Sequence, residues 1–276
     1  MFDVYLGPLE VLHYILEGDE GDVHSLEAHP LFSELLFLES NCEDETADEC
    51  CWVERSRWLK FEERAELDSG RWSKPLISLL SFQSLQQLRG CFKKSAPFLQ
   101  NQVTSFNQLA EQIVENLLKE GDIQRSEAKI CKECLQSPKK HLVGSRFATG
   151  INDEKEKPQT QEEDAVTPSF SSKLESKEKH VLTSILSPHP PSNILRKLPK
   201  DVEGACILIG YIPNITRPVA QFVRLEQAQL MPDLLEVPIP TRFVFVLFVP
   251  IGHVEQNAVM IGRCLGALFV DEVRED

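Results

Sequence analysis

The run Glu236-Val237-Pro238-Ile239-Pro240-Thr241-Arg242-Phe243-Val244-Phe245-Val246-Leu247-Phe248-Val249-Pro250 constrains this chain more than any other segment. From Phe243 to Val249 every side chain is apolar, so a strand made from it must be covered on both faces. Two prolines lead into the run and Pro250 closes it, as expected where proline is confined to strand ends. Ala205 to Gly210 and Val219 to Leu225 read as two further strands of the same sheet. Glu255 to Phe269, containing Met260-Ile261-Gly262-Arg263, reads as a helix that caps it. The apolar stretch is far short of the roughly 20 residues a membrane-crossing helix needs, so no transmembrane segment is expected.

The front of the chain mixes both periodicities. Val11 to Leu16 is a short helical pattern before the acidic run Glu17 to Asp22, and His29-Pro30-Leu31-Phe32-Ser33-Glu34-Leu35-Leu36 is read as the start of a second helix, ended by the polar cluster Asn41 to Glu49. From Trp52, aromatic and branched residues alternate with charges, which predicts a strand with a hairpin partner around Arg71-Trp72-Ser73 and turn residues at Asp68-Ser69-Gly70. A short strand is expected over Leu76 to Leu80. Helices follow over Phe82 to Phe92, over Ser105 to Lys119 with Phe106, Leu109, Ile113 and Leu117 on one face, and over Ile123 to Leu135.

Between Ser137 and Ser192 the composition turns to Lys, Glu, Ser, Thr, Gln and Pro, which cannot bury enough apolar area to offset the cost of ordering the backbone. The front block has helices but too few strands to close a sheet, and the back block has strands but a single helix. These observations predict an α/β fold with a mixed central sheet and helices on both faces. The expected organisation is a flexible acidic lead-in over 1–28, the first half of one domain over 29–136, a disordered insert over 137–192 and the second half over 193–276. Ser137-Pro138, Thr167-Pro168 and Ser187-Pro188 in the insert are candidate phosphorylation sites.

A net charge of -14 argues against sequence-independent binding to nucleic acid or anionic lipid. The N-terminus lacks the basic start and apolar core of a secretory leader, which predicts a cytosolic protein. Its eight cysteines, with Cys50 and Cys51 adjacent and the rest scattered, form no disulfide framework and are expected as buried thiols. Cys131-Lys132-Glu133-Cys134 has the spacing of half a zinc site, with His141 as an imaginable third ligand, but no second pair completes it. The seven histidines form no metal or nucleophile motif, and no glycine-rich phosphate loop is present. No cofactor or metal is expected, and no enzymatic activity. Trp52, Trp58 and Trp72 are read as sheet packing or, less simply, as an aromatic patch for a partner.

Trp58-Leu59-Lys60-Phe61-Glu62-Glu63, Gly70-Arg71-Trp72-Ser73-Lys74-Pro75, Arg196-Lys197-Leu198-Pro199, Phe222-Val223-Arg224-Leu225, Pro240-Thr241-Arg242, Ile261-Gly262-Arg263 and Asp271-Glu272-Val273 form a colinear series. The series resembles the N-terminal cytosolic domain of the bicarbonate transporter and anion exchanger family, most closely its sodium bicarbonate cotransporters, without the membrane domain. The resemblance covers roughly residues 29–135 and 194–273. Phe248-Val249-Pro250 stands where the family has Leu-Gly-Pro, and Asn257-Ala258-Val259 where it has Tyr-His-Glu.

The resemblance implies a fold similar to the sugar-phosphotransferase EIIA proteins. It implies a non-catalytic regulatory and anchoring role in bicarbonate transport and pH regulation, exercised through a membrane domain on the cytosolic side of the plasma membrane. Implied partners are that membrane domain, a second copy of the chain and cytoskeletal or regulatory proteins; the family's dimerisation arm follows the Asp271-Glu272-Val273 motif. A free-standing soluble relative that modulates full-length transporters, and an EIIA-like phosphotransfer enzyme, are the alternatives. The resemblance also places Glu62, Glu63 and Arg263 in the family's motifs, with Trp58, Lys60, Phe61, Arg71, Trp72, Pro240, Thr241, Arg242 and Gly262. An arginine on a helix beside a covered sheet needs a carboxylate to offset its desolvation, which predicts a pair between Arg263 and Glu62, with Glu63 as the alternative partner.

Overall fold

Long apolar runs become central strands when helices supply both covering layers, and that is the arrangement found here. The computed structural model describes residues 30–40, 50–94, 98–100, 103–142, 194–232, 234–252 and 257–270. In chain order the elements are β1 (Leu31–Ser40), β2 (Cys50–Trp58), β3 (Glu62–Glu66), β4 (Arg71–Trp72), α1 (Phe82–Lys94), β5 (Phe98–Gln100), α2 (Phe106–Lys119), α3 (Arg125–Gln136), β6 (Lys139–Lys140), β7 (Glu203–Ile212), β8 (Val219–Leu230), β9 (Pro240–Pro250) and α4 (Ala258–Val270).

The strands form one sheet in the order β4-β3-β2-β1-β7-β9-β8-β5, with β6 added beside β2. β1 is antiparallel to β2 but parallel to β7, β7 is parallel to β9, and β9 is antiparallel to β8. The sheet is therefore mixed. β1 and β7, from the front and back of the chain, are neighbours at its centre, with Leu31 to Leu38 in register with Glu203 to Gly210.

Helices cover both faces. On one side α2 buries Phe106, Leu109, Ala110, Ile113, Val114 and Leu117 at helical spacing, and α3 adds Cys131, Cys134 and Leu135. Ser105 caps α2 by accepting a hydrogen bond from the Gln108 N–H, and Gly121, at φ +72°, follows its end. On the other side α1 contributes Leu88 and α4 contributes Ile261, Cys264, Leu265, Leu268 and Phe269. There Phe222 stacks against Phe243 and Phe269, and Phe92 meets Phe222 edge-on.

Several expectations are corrected. Leu31 to Leu36 is strand, not helix: β2 and β7 pair with it on either side, and this pairing overrides a local pattern that suits a helix. Leu76 to Leu80 is not a strand; it makes one bridge, Leu76 with Glu62, and Ile77 and Leu79 project outward. The hairpin partner of β2 is β3, and the Asp68-Ser69-Gly70 turn joins β3 to β4. Order continues past Ser137 through Leu142, because the Pro138 carbonyl accepts a hydrogen bond from the Trp52 N–H and β6 pairs with Trp52 and Val53. The lead-in helix at Val11 to Leu16, the cluster Asn41 to Glu49 and the insert from residue 143 to 193 lie outside the described residues.

A bulge in β2 sorts its side chains between the two faces. Leu35 pairs with Ser56 but Leu36 with Glu54, which leaves Arg55 as the extra residue. Trp52 thus joins the core under α2 and α3, while Trp58, six positions on, joins the core under α1 and α4. A regular strand would put both on one side.

Candidate functional site

Arg263 projects from α4, and Glu62 opens β3. The Arg263 Nε donates to Glu62 Oε1 at 2.6 Å and Nη2 donates to Oε2 at 2.8 Å, a fork-to-fork pair between the back and the front of the chain. Arg64 Nε and Ser56 Oγ also donate to Oε1, and Ser78 Oγ donates to Oε2 at 2.7 Å. Ser78 Oγ in turn accepts from the Trp58 indole N–H at 2.9 Å. Burial by itself would raise the Glu62 pKa, but the hydrogen bonds from Arg263, Arg64 and Ser78 outweigh it and hold the carboxyl down at about 2.

The approach of α4 depends on two glycines. A Cβ on Gly262 would lie 2.7 Å from Leu35 Cδ1, and one on Gly266 would lie 2.6 Å from the Trp58 ring. The glycine of Ile261-Gly262-Arg263 therefore brings the helix backbone close enough for Arg263 to reach β3.

Glu63 does not meet Arg263. It pairs instead with Arg57, whose Nε donates to Glu63 Oε2 at 2.7 Å, while Arg57 Nη1 donates to both carboxylate oxygens of Glu236. The Arg57 guanidinium also lies over the Trp72 ring, 4.1 Å from its centroid. Arg242 donates to both oxygens of Glu203 at 2.7 and 2.6 Å and to the Leu225 carbonyl, which ties β9 to β7 and β8. Thr241 beside it is fully buried, and its Oγ1 has no partner among the described residues. Lys60, Phe61, Arg71 and Pro240 are exposed and stand apart from the Arg263 cluster.

A second polar cluster lies on the α2 and α3 side of the sheet. His141 Nδ1 is 2.5 Å from Glu54 Oε1 and 4.0 Å from Glu34 Oε2. The Leu142 N–H donates to Glu54 Oε2, and the Glu236 N–H donates to Glu34. Burial, then the neighbouring Glu54, push the Glu34 carboxyl well above the ordinary carboxylate range.

Sequence reasoning missed Arg57, Glu236, Glu34 and Glu54. The available signal was charged residues set inside apolar runs, Glu34 within Leu31 to Leu38 and Glu54 and Arg57 between two tryptophans. Cys131 and Cys134 are buried under α2 and do not converge with His141. Burial pushes both thiols up to about 12, which suits packing better than ligation.

The family model described as the Band 3 cytoplasmic domain matches residues 29–276. The sodium bicarbonate cotransporter 3 of Mus musculus is 30% identical over 283 residues, covering 99% of this chain and 27% of that protein. The electroneutral sodium bicarbonate exchanger 1 of Rattus norvegicus is 31% identical over 98% of the chain and 25% of its own length. The electrogenic sodium bicarbonate cotransporter 1 of Ambystoma tigrinum is 32% identical over 82% of the chain and 22% of its own length. The chain thus spans about a quarter of the length of these relatives. No helix among the described residues is long and apolar enough to cross a membrane.

Proposed function

Because the chain belongs to the Band 3 cytoplasmic domain family, a cytosolic domain of bicarbonate transporters, we propose that it is a non-catalytic regulatory and anchoring module that acts on ion transport through a membrane domain. The observation that carries this reading is the Arg263–Glu62 pair. It joins α4 of the back half to β3 of the front half, so a shift of either half alters the pair. Residues 29–142 and 194–276 act as one domain, with 143–193 as its insert, and parallel pairing of β1 with β7 supports that organisation. The module works at the cytosolic side of the plasma membrane. Its first partner is the transporter's membrane domain; a second copy of the chain and cytoskeletal or regulatory proteins are further partners.

The geometry offers little to a phosphotransfer enzyme. His141, the histidine among the described residues, has its Nδ1 held against Glu54 and is largely buried. Co-expression of the chain with a full-length sodium bicarbonate cotransporter tests the proposal. Co-purification is expected, along with a changed rate of bicarbonate-dependent recovery of intracellular pH, and Arg263→Ala should reduce that change. Normal recovery with no co-purification would remove the regulatory reading.

A further inference from the structure

We propose that the exposed apolar strip formed by Phe61, Ile77, Leu79, Leu80 and Phe82, with the cations that flank it, docks on the anionic surface of a phospholipid bilayer. The net charge of -14 is a sum over the whole chain and hides a local reversal. From Ser69 to Ala110 no Asp or Glu occurs, although the chain carries 43 of them, while Arg71, Lys74, Arg89, Lys93 and Lys94 all fall in that stretch. Ile77 to Phe82 sit inside it.

These five side chains are among the eight large apolar ones that remain exposed in the described residues, with Leu79 80%, Phe82 76% and Ile77 75% exposed. Scattered exposed apolar residues need no explanation, but a group of them in one place marks a surface that something covers. They are held outward rather than left loose. Leu76 exchanges two backbone hydrogen bonds of 2.9 Å with Glu62, which lays the strip along the start of β3, next to Phe61. Ser78 is turned inward, donating to Glu62 Oε2 and accepting from the Trp58 indole N–H. Burial alternates from Leu76 to Leu79 as along a strand, so anchoring Ser78 directs Ile77 and Leu79 to solvent. Phe82 then opens α1, and Gln86, Arg89 and Lys93 follow it at helical spacing, which carries this face from apolar to basic.

Charge selects the partner. Lys60, Arg71 and Lys74 are exposed around the strip. Of the carboxylates that precede it, Glu62 and Glu63 are spent on Arg263 and Arg57, and Glu66 and Asp68 belong to the β3–β4 turn. Apolar side chains bordered by basic ones match a bilayer, where the apolar groups enter the headgroup boundary while lysine and arginine stay at the anionic surface. Screening limits the reach of the remote carboxylates to about 8–10 Å, so the local cations rather than the net charge meet the lipid. Contact of this kind is weak alone and is made effective by the high local concentration that a linked membrane domain imposes.

The inference deepens the reading of a module at the cytosolic side of the plasma membrane. Its test uses no transporter, so absence of vesicle binding leaves co-purification with a transporter untouched, and the reverse holds. The whole chain is sedimented with phosphatidylcholine vesicles made with and without phosphatidylserine. Binding to the phosphatidylserine vesicles alone, weakening as salt rises, is expected. Ile77→Ser with Leu79→Ser should abolish it, and Lys74→Ala should weaken it about fivefold, the worth of one surface cation. Leu230→Ser with Ile251→Ser, at exposed positions off the strip, should leave it unchanged. Replacements at exposed positions predict an unchanged urea midpoint, which keeps loss of binding apart from loss of fold. No binding, equal binding to neutral vesicles, or full binding by the Ile77 and Leu79 variant would overturn the proposal. So would a dimer in sedimentation velocity that this variant returns to monomer while vesicles go unbound, a result that gives the strip to a second copy of the chain.

Discussion

Gly266 of α4 lies against the indole of Trp58 so closely that a Cβ there would be 2.6 Å from the ring. Trp58 is 1% exposed and anchored through Ser78, so its ring has little freedom to yield. Gly266→Ala should therefore destabilise the chain by about 1–3 kcal/mol, the usual cost of overpacking. Urea unfolding measures the loss, and Trp58→Leu in the same chain should relieve part of it. A Gly266→Ala protein as stable as the parent would mean that α4 does not approach β2 this closely.

Removing Arg263 leaves a buried carboxylate without its main counter-charge. Arg263→Ala should cost about 3–5 kcal/mol, and Glu62→Gln in the Arg263→Ala background should recover part of that loss. Chemical denaturation of the single and double variants provides the comparison. Equal stability of Arg263→Ala and the parent would show that the pair contributes nothing to the fold.

The same carboxylate sets part of the acid limit of stability. Its pKa in the folded protein is about 2, below the ordinary 4.5, so the folded state favours the ionised form. The resulting stabilisation is fully present above about pH 4.5 and is lost as pH falls toward 2, amounting to roughly 3 kcal/mol. Glu62→Gln should flatten the stability profile across that interval. A profile of unchanged slope would assign the acid sensitivity to other groups.

Cys131 and Cys134 should resist modification in the native protein. Burial holds both thiols near 12, so almost no thiolate exists at neutral pH and access is blocked. Iodoacetamide labelling followed by peptide mass spectrometry should find both unmodified under native conditions and both labelled in denaturant. Rapid native labelling would mean that α3 detaches from the sheet.

The back of the sheet was legible because β7 and β9 carry apolar runs too continuous for any other burial, and α2 because its buried residues recur at helical spacing. β1 was not, since Pro30 followed by leucines and phenylalanines fits the start of a helix as well as a strand. Only β2 and β7 decide between them. β5 and β6 are too short to show any period. Glu62 and Arg263 could be matched through their motifs, whereas Glu34, Glu54 and His141 could not. Their meeting requires the Arg55 bulge and the docking of β6, which exist only in the assembled sheet.

The parallel register of Leu31 to Leu38 with Glu203 to Gly210 also bears on how the protein is made. A ribosome adding roughly 5–20 residues per second releases β1 many seconds before its central neighbour exists. During that interval the strand has one edge of unpaired backbone N–H and C=O groups, with leucine and phenylalanine on its faces, a template on which nascent chains can pair with each other. The topology thus predicts slow maturation and dependence on chaperones at high expression, with misassembly concentrated in the interval before β7 emerges.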